Sequence, residues 1–203
     1  MSVLLSPLTD ADVQPLARLH RKAFPGFFLS TLGEPFLVQF YRGFLSDDDA
    51  VTVVAHDGSG AVQGAVVGTT QPAGFFGRLV RNRWPGFAAA SVRAALTNPR
   101  AVPRLLRAVT YRGDTPEGAD GALLSSICVD PGVRGTGLGR RLLAAWVAEV
   151  ASRGTDKAFL TTDAVGNDAV NRFYQAAGWV LSDRFETREG RPMNRYTISV
   201  NGN

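Results

Sequence analysis

The 203-residue chain is 45% hydrophobic and 20% charged, which supplies one independently folding core and excludes a wholly disordered chain. A single cysteine, Cys128, excludes an intrachain disulfide, and with only His20 and His56 beside it the soft ligands are too few for a structural zinc site. The net charge of +4 rests on 22 basic residues, 20 of them arginine, and speaks to solubility rather than to fold.

In chain order, Val3-Leu4-Leu5 reads as a short strand stopped by Pro7. Thr9 with Asp12 three residues on resembles a capping box, opening a helix with Val13, Leu16, Ala17 and His20 on one face. Phe24 to Phe28 form an aromatic loop around Pro25-Gly26. A second helix is expected from Glu34 to Leu45, its apolar face carrying Phe36, Leu37, Phe40, Tyr41 and Phe44. Val51 to Ala55 and Val62 to Thr70 read as a hairpin around Asp57-Gly58-Ser59-Gly60.

Residues 72–115 depart from this rhythm as an arginine-rich helical insertion, with no acidic residue between Gln71 and Gly113. Phe87 to Leu96 and Pro99 to Val109 read as two short helices, anchored by Trp84, Phe87, Val92, Leu96, Leu105, Leu106 and Val109. Arg78, Arg81, Arg83, Arg93, Arg100, Arg104, Arg107 and Arg112 decorate it. Three roles stay open: a lid binding an anionic acceptor, a dimerisation or membrane-surface element, and an extra helical layer with a solvated basic face.

Ala122 to Val129 is an almost unbroken apolar strand, which suggests burial on both faces. A helix follows from about Gly137 to Arg153, then a strand at Ala158 to Thr162, a short helix at Asn167 to Ala176, and two strands at Trp179 to Thr187 and Met193 to Val200 around Glu189-Gly190. The order is β-α-α-β-β-insert-β-α-β-α-β-β, a single α/β (α+β) domain over 1–203 with a mixed sheet and helices on both faces. No apolar run approaches the ~20 residues of a membrane span. The segment Met1 to Pro7 is too short and uncharged for a signal peptide, so a cytoplasmic location is expected.

The chemistry concentrates at Arg134-Gly135-Thr136-Gly137-Leu138-Gly139, between a strand and a helix. Glycines let backbone amides approach an anion, and the helix start adds free N–H donors and the positive end of its dipole. Arg134, Arg140 and Arg141 add charge. The dinucleotide fingerprint fails, because Arg140 stands at its third glycine, and the lysine of a P-loop is missing.

The pattern R-x-x-G-x-G is similar to the CoA-binding signature of GNAT acetyltransferases. Ile127 to Pro131 resembles that family's central strand and bulge. Asn167-Asp168-Ala169-Val170-Asn171-Arg172-Phe173-Tyr174, running on to Gly178-Trp179, resembles its N-x-x-A-x-x-F-Y helix, with Val170 where alanine is commoner. The resemblance covers Gly121 to Val200 by motif and Val3 to Thr70 by element order. It implies the GNAT fold: a mostly antiparallel sheet flanked by helices, with the insertion between the third and fourth strands.

By the same resemblance, acetyl-CoA is the co-substrate and no metal is needed. Its pantetheine arm would lie on the backbone of Ile127, Cys128 and Val129. Its pyrophosphate would lie on the amides of Gly135 to Arg140, Thr136, Gly137, Leu138 and Gly139 among them, with Arg134 supplying charge. The Leu138 side chain itself belongs to the core. Asn167 would touch the CoA arm while capping its helix. Tyr174 would protonate the leaving thiolate.

The general base is not evident. Ser125-Ser126 and Thr161-Thr162 stand where a carboxylate is common, which leaves Asp163, a water relay to backbone carbonyls, or Glu34. Cys128, mid-strand among apolar residues, reads as structural rather than nucleophilic, and His20 as packing or solvated. The implied reaction is direct attack of a primary amine on acetyl-CoA in a ternary complex, the acceptor being an anionic amino sugar or another small amine. The alternative is a CoA-binding sensing or interaction module without chemistry. Nucleic acid is not an expected partner, because the arginines lack interleaved stacking aromatics. A homodimer and peripheral membrane contact remain open.

Overall fold

The computed structural model describes residues 3–97, 120–187 and 190–200. The expected helix at Pro99 to Val109, with Arg100, Arg104, Arg107 and Arg112, lies outside them, as does Glu189.

The elements are β1 (Leu4–Ser6), α1 (Asp10–Ala23), α2 (Phe28–Thr31), α3 (Glu34–Leu45), β2 (Ala50–His56), β3 (Val62–Thr69), α4 (Phe75–Asn82), α5 (Trp84–Thr97), β4 (Ala122–Val129), α6 (Leu138–Ser152), β5 (Lys157–Asp163), α7 (Asp168–Ala176), β6 (Val180–Glu186) and β7 (Pro192–Ser199). They match the sequence expectation closely. The differences are α2 and α4, which were not expected, and α5, which starts three residues earlier than read. Asp12 accepts from the Thr9 amide at 2.9 Å, so the start signal of α1 works as anticipated.

The seven strands form one sheet in the order β1-β2-β3-β4-β5-β7-β6. Every neighbouring pair is antiparallel except β4 and β5. Alternation along β2 and β3 divides the interior in two. Val54, Ala65 and Val67 face α1, α3, α4 and α5, whereas Val51, Val53 and Val66 face α6. On the α6 side the fully buried Trp146 donates its indole N–H to the Val51 carbonyl at 3.0 Å.

Gly68 makes that packing possible. A Cβ there would stand 2.3 Å from the Leu123 carbonyl and 2.5 Å from the Trp146 ring.

At the same place β4 carries a bulge. Val67 pairs with Ser126 and Gly68 with Leu124, so Ser125 is the extra residue. The bulge reverses the parity of the strand. Ala122 and Leu124 belong to the α6 side, but Cys128 belongs to the α1–α3 side.

The insertion differs from expectation in how it packs. α5 lies on α3 through Phe87, Ala90 and Ala94, one helical stripe, with Phe87 stacked edge-on against Phe36 at 4.9 Å between centroids. Val92 and Leu96 fall on the opposite face and Trp84 stands at the helix start, and all three are exposed, so they are not the anchors their hydrophobicity suggested. Arg78 donates to the carbonyls of Gln71 and Ala73 and pairs with Asp47, binding α4 to the β-hairpin side.

Replacing Gly68 with alanine is expected to lower the unfolding free energy by about 2 kcal/mol, the usual cost of overpacking, because backbone lies on one side and the fixed indole on the other. Urea unfolding of wild type and variant measures this.

Candidate active site

β4 and β5 pair only through Ala122–Ala158 and Leu123–Phe159, at their first residues. Beyond that point they part. A cleft of about 810 Å³ opens between them, lined by β4 from Leu124 to Val129, β5 from Leu160 to Asp163, the loop before α6, α7, and the end of α1 with the loop that follows. Parting leaves the β5-facing edge of Leu124 to Val129 without a partner strand, a row of backbone groups of the kind an extended chain can join.

The cleft ends at the glycine loop. Gly135 and Gly137 hold φ of +81° and +82°, which only glycine adopts readily, and a Cβ on either would meet nothing within 4 Å. Their open side faces the cleft. Among the described residues no acceptor reaches the amides of Gly137, Leu138, Gly139 and Arg140, as the start of a helix requires. The Leu138 side chain turns into the core.

Neighbouring elements brace this loop. Asp130 accepts from the Gly132 amide at 2.7 Å, and both its oxygens accept from Lys22 Nζ at 2.9 Å. The Lys22 ammonium and the Gly132 amide hold the Asp130 carboxyl below its ordinary range. Arg134 donates to the Ala23 carbonyl at 3.3 Å, so it ties the loop to the end of α1 while lining the cleft. Arg140 also lines the cleft, whereas Arg141 donates to the Val3 carbonyl.

On the opposite wall Tyr174 reaches the cleft from α7. It is packed among Phe173, Trp179 and Tyr196, with ring centroids 5.2, 6.1 and 5.9 Å away. Burial pushes its phenol well above the ordinary value, so it is protonated at neutral pH and available as a donor. Asn171, one turn before Tyr174 on α7, holds the helix in place. Its Oδ1 accepts from Asn194 at 2.8 Å and from the Tyr196 hydroxyl at 3.0 Å, and its Nδ2 donates to the carbonyls of Asp163 and Asn167.

Asn167 occupies the N-cap position, but its side chain does not cap. Its Nδ2 donates to the Thr162 hydroxyl at 2.8 Å, which ties α7 to β5.

Asp163 lies at the end of β5 on the cleft wall, and both its oxygens accept from the Arg191 guanidinium. Arg191 in turn lies 5.8 Å from the centre of the Phe27 ring. Glu34 pairs with Arg18 at 3.0 Å and does not line the cleft. Cys128 is buried, and burial pushes its thiol up to about 12, which deprives it of nucleophilic character.

His20 is neither a surface residue nor an apolar filler. It is 1% exposed, lines the cleft, and has Nδ1 2.7 Å from the Tyr41 hydroxyl. Burial lowers its pKa to about 4. Asn171, Arg191 and Tyr41 were not singled out as site residues. Tyr41 and Arg191 meet their partners only through tertiary contacts, but Asn171 carried a signal, a polar residue on the face of α7 that also bears Tyr174. Among the described residues no group of three or more His, Cys, Asp or Glu is placed to hold a metal ion, and no helix is long and apolar enough to cross a membrane.

A parted sheet with a free strand edge, a glycine-rich helix start and a buried phenol thus share one cleft. The family model described as the acetyltransferase (GNAT) family matches residues 14–179, and the chain belongs to that family. A mycothiol acetyltransferase from Thermobispora bispora is 45% identical over 65 residues, 31% of this chain but 22% of that protein, so the match spans about a fifth of the relative's length. Among solved structures, SsHAT superimposes with a TM-score of 0.68 at 19% identity over 100% of both chains. An acetyltransferase of the GNAT family from Desulfovibrio desulfuricans gives 0.65 at 18% identity over 98% of this chain and 99% of the other. At such identities the likeness establishes the fold.

The buried imidazole sets a pH dependence. The unfolded chain takes up a proton at His20 near the ordinary 6.5 while the folded chain resists until about 4, so stability is full above 6.5 and falls as pH drops through that window. The loss attributable to His20 is expected to reach about 3 kcal/mol. Urea unfolding at pH 7 and pH 4 should show a smaller drop in a His20→Phe variant than in wild type.

Proposed function

We propose that this protein transfers an acetyl group from acetyl-CoA to a primary amine by direct attack, with both substrates bound together. The observation that carries the reading is the continuity of the site. The unpaired edge of β4, the amides at the start of α6 that no acceptor among the described residues reaches, and the buried phenol of Tyr174 all line one cleft.

The residues present fit acetyl-CoA. The backbone of Ile127, Cys128 and Val129 would hold the extended pantetheine arm as a strand would, and the amides of Gly137 to Arg140 would hold the pyrophosphate at the helix dipole. Open space beside Gly135 and Gly137 leaves room for the phosphates. When bound, acetyl-CoA supplies the activated acetyl thioester. Tyr174 donates a proton toward the departing sulfur, Asn167 and Asn171 set the position of α7, and the inert Cys128 leaves direct attack as the simpler route. Much of the rate would come from holding the amine and thioester in register.

Asp163, the one carboxylate among the described residues lining the cleft, is engaged twice by Arg191. It serves better to fix Arg191 than to take a proton. That same observation favours the second reading, a CoA-binding module without chemistry. The two readings diverge at Tyr174. Tyr174→Phe is expected to reduce kcat by about 10²-fold or more while leaving acetyl-CoA affinity within about threefold. Unchanged turnover would remove the acid role.

The loop has its own check. Gly137→Asp keeps a residue tolerant of positive φ but adds a negative charge beside the pyrophosphate. Acetyl-CoA affinity, measured by calorimetry, is expected to fall about tenfold or more. Affinity equal to wild type would move the donor site elsewhere.

A further inference from the structure

The end of β5 and the loop after α1 are different parts of the cleft wall, and one side chain touches both. Arg191, just before β7, donates from Nε and Nη2 to the two oxygens of Asp163. Its guanidinium carbon also lies 5.8 Å from the centre of the Phe27 ring. Asp163 and Phe27 both line the cleft, so Arg191 stands at its rim, with 46% of its side chain exposed.

The backbone of Arg191 is held as well. The Thr187 amide donates to the Arg191 carbonyl at 2.9 Å, and the Arg191 amide donates to the Thr187 hydroxyl at 3.3 Å. The Pro192 carbonyl, next in the chain, accepts from the Ala164 amide at 3.0 Å, which fastens this segment to the end of β5. A guanidinium carries five N–H donors in a planar fork. Asp163 takes two of them along one edge. Both hydrogens of Nη1 and one of Nη2 remain, with no acceptor among the described residues.

The other charges of the cleft favour the same kind of ligand. Among the described residues lining it, Arg134 and Arg140 are cationic, and the one carboxylate, Asp163, has both oxygens engaged. A polycation therefore meets no free anion there. An anionic group meets a guanidinium already oriented by its carboxylate partner, so binding costs little side-chain freedom. Phe24, Phe27 and Leu29 supply apolar wall beside it.

We propose that Arg191 is the specificity-determining residue for the acceptor: its unused donors bind an anionic oxygen group, a carboxylate or a phosphate, carried by the amine substrate. The proposal rests on the transferase reading above. Asp163 is then a positioning residue. It holds one edge of the fork, and the donors beyond that edge point away from its own negative charge, where a second anion can accept from them.

The test uses saturating acetyl-CoA at pH 7.5, following thiol release, with two matched pairs of acceptors. L-Phenylalanine and L-phenylalaninamide differ by a carboxylate, and D-glucosamine 6-phosphate and D-glucosamine differ by a phosphate. Wild type is expected to show kcat/KM at least about tenfold higher for the anionic member of one pair. The pair that shows it tells a carboxylate from a phosphate. Arg191→Met should bring that ratio to near one by raising KM for the anionic amine, leaving its partner's kcat/KM and the calorimetric acetyl-CoA affinity little changed. Arg191→Lys keeps the charge and loses the fork, so its ratio should fall between the two. A residue that only fastened the rim would lower both members of a pair together and leave the ratio intact.

Equal kcat/KM within both pairs, spermidine preferred to both anionic amines, or a ratio that survives Arg191→Met would each overturn the proposal. The wild-type ratios decide it even where a variant fails to fold. No turnover of either anionic amine by protein that binds acetyl-CoA overturns it too. Absence of acetyl-CoA binding overturns the transferase reading and this proposal with it.

Discussion

Two residue pairs join β4 to β5, and the site exists because there are no more than two. A sheet whose central strands stayed in register would present side chains to solvent and bury every backbone group in its ladder. Here the ladder stops at Leu123 and Phe159. The two halves of the sheet diverge, and one strand edge remains free inside the protein. An unpaired edge is ordinarily a liability. Enclosed between α7 on one side and the end of α1 on the other, it becomes a template for an extended ligand.

Keeping the halves apart is the work of elements outside the sheet. α7 is clamped by Asn171 and Asn167 to β5 and β7, and α1 is fastened to the glycine loop through Lys22, Asp130 and Arg134. The first set positions Tyr174 and the second positions the free amides of α6. Both sets are polar contacts between elements distant in sequence, so they act on the geometry of the cleft rather than on the formation of any one helix. The bulge at Ser125 adds a third adjustment. By turning Ser126 and Cys128 toward Tyr41, it builds a polar cluster beside His20.

Much of the fold was legible in the chain. Alternation along β2 and β3, the unbroken apolar run of β4 and the helical spacing in α3 and α6 identified their elements to within a residue or two. Such patterns record which face each element buries. The insertion was read less well. α5 is short of polar residues on either face, so hydrophobicity could not tell Phe87, which packs on α3, from Trp84 and Leu96, which do not. α2 is a single turn, and α4 is short and docks through Phe75 against Phe44.

By itself the sequence determined the parts whose physics is local. Gly135 and Gly137 are needed wherever a chain must take positive φ beside an anion site, and the order strand, loop, helix places free amides there. The helix at Asn167 to Ala176 was likewise read from the chain, and Tyr174 was singled out through the resemblance of that segment to the family's motif. Only the tertiary structure decided what surrounds them. It paired Asp163 with Arg191 across 28 residues and left Glu34 outside the cleft. It also buried His20 against Tyr41, 21 residues away. Whether a titratable side chain is solvated, paired or stranded depends on neighbours brought from elsewhere in the chain, and no local pattern encodes them.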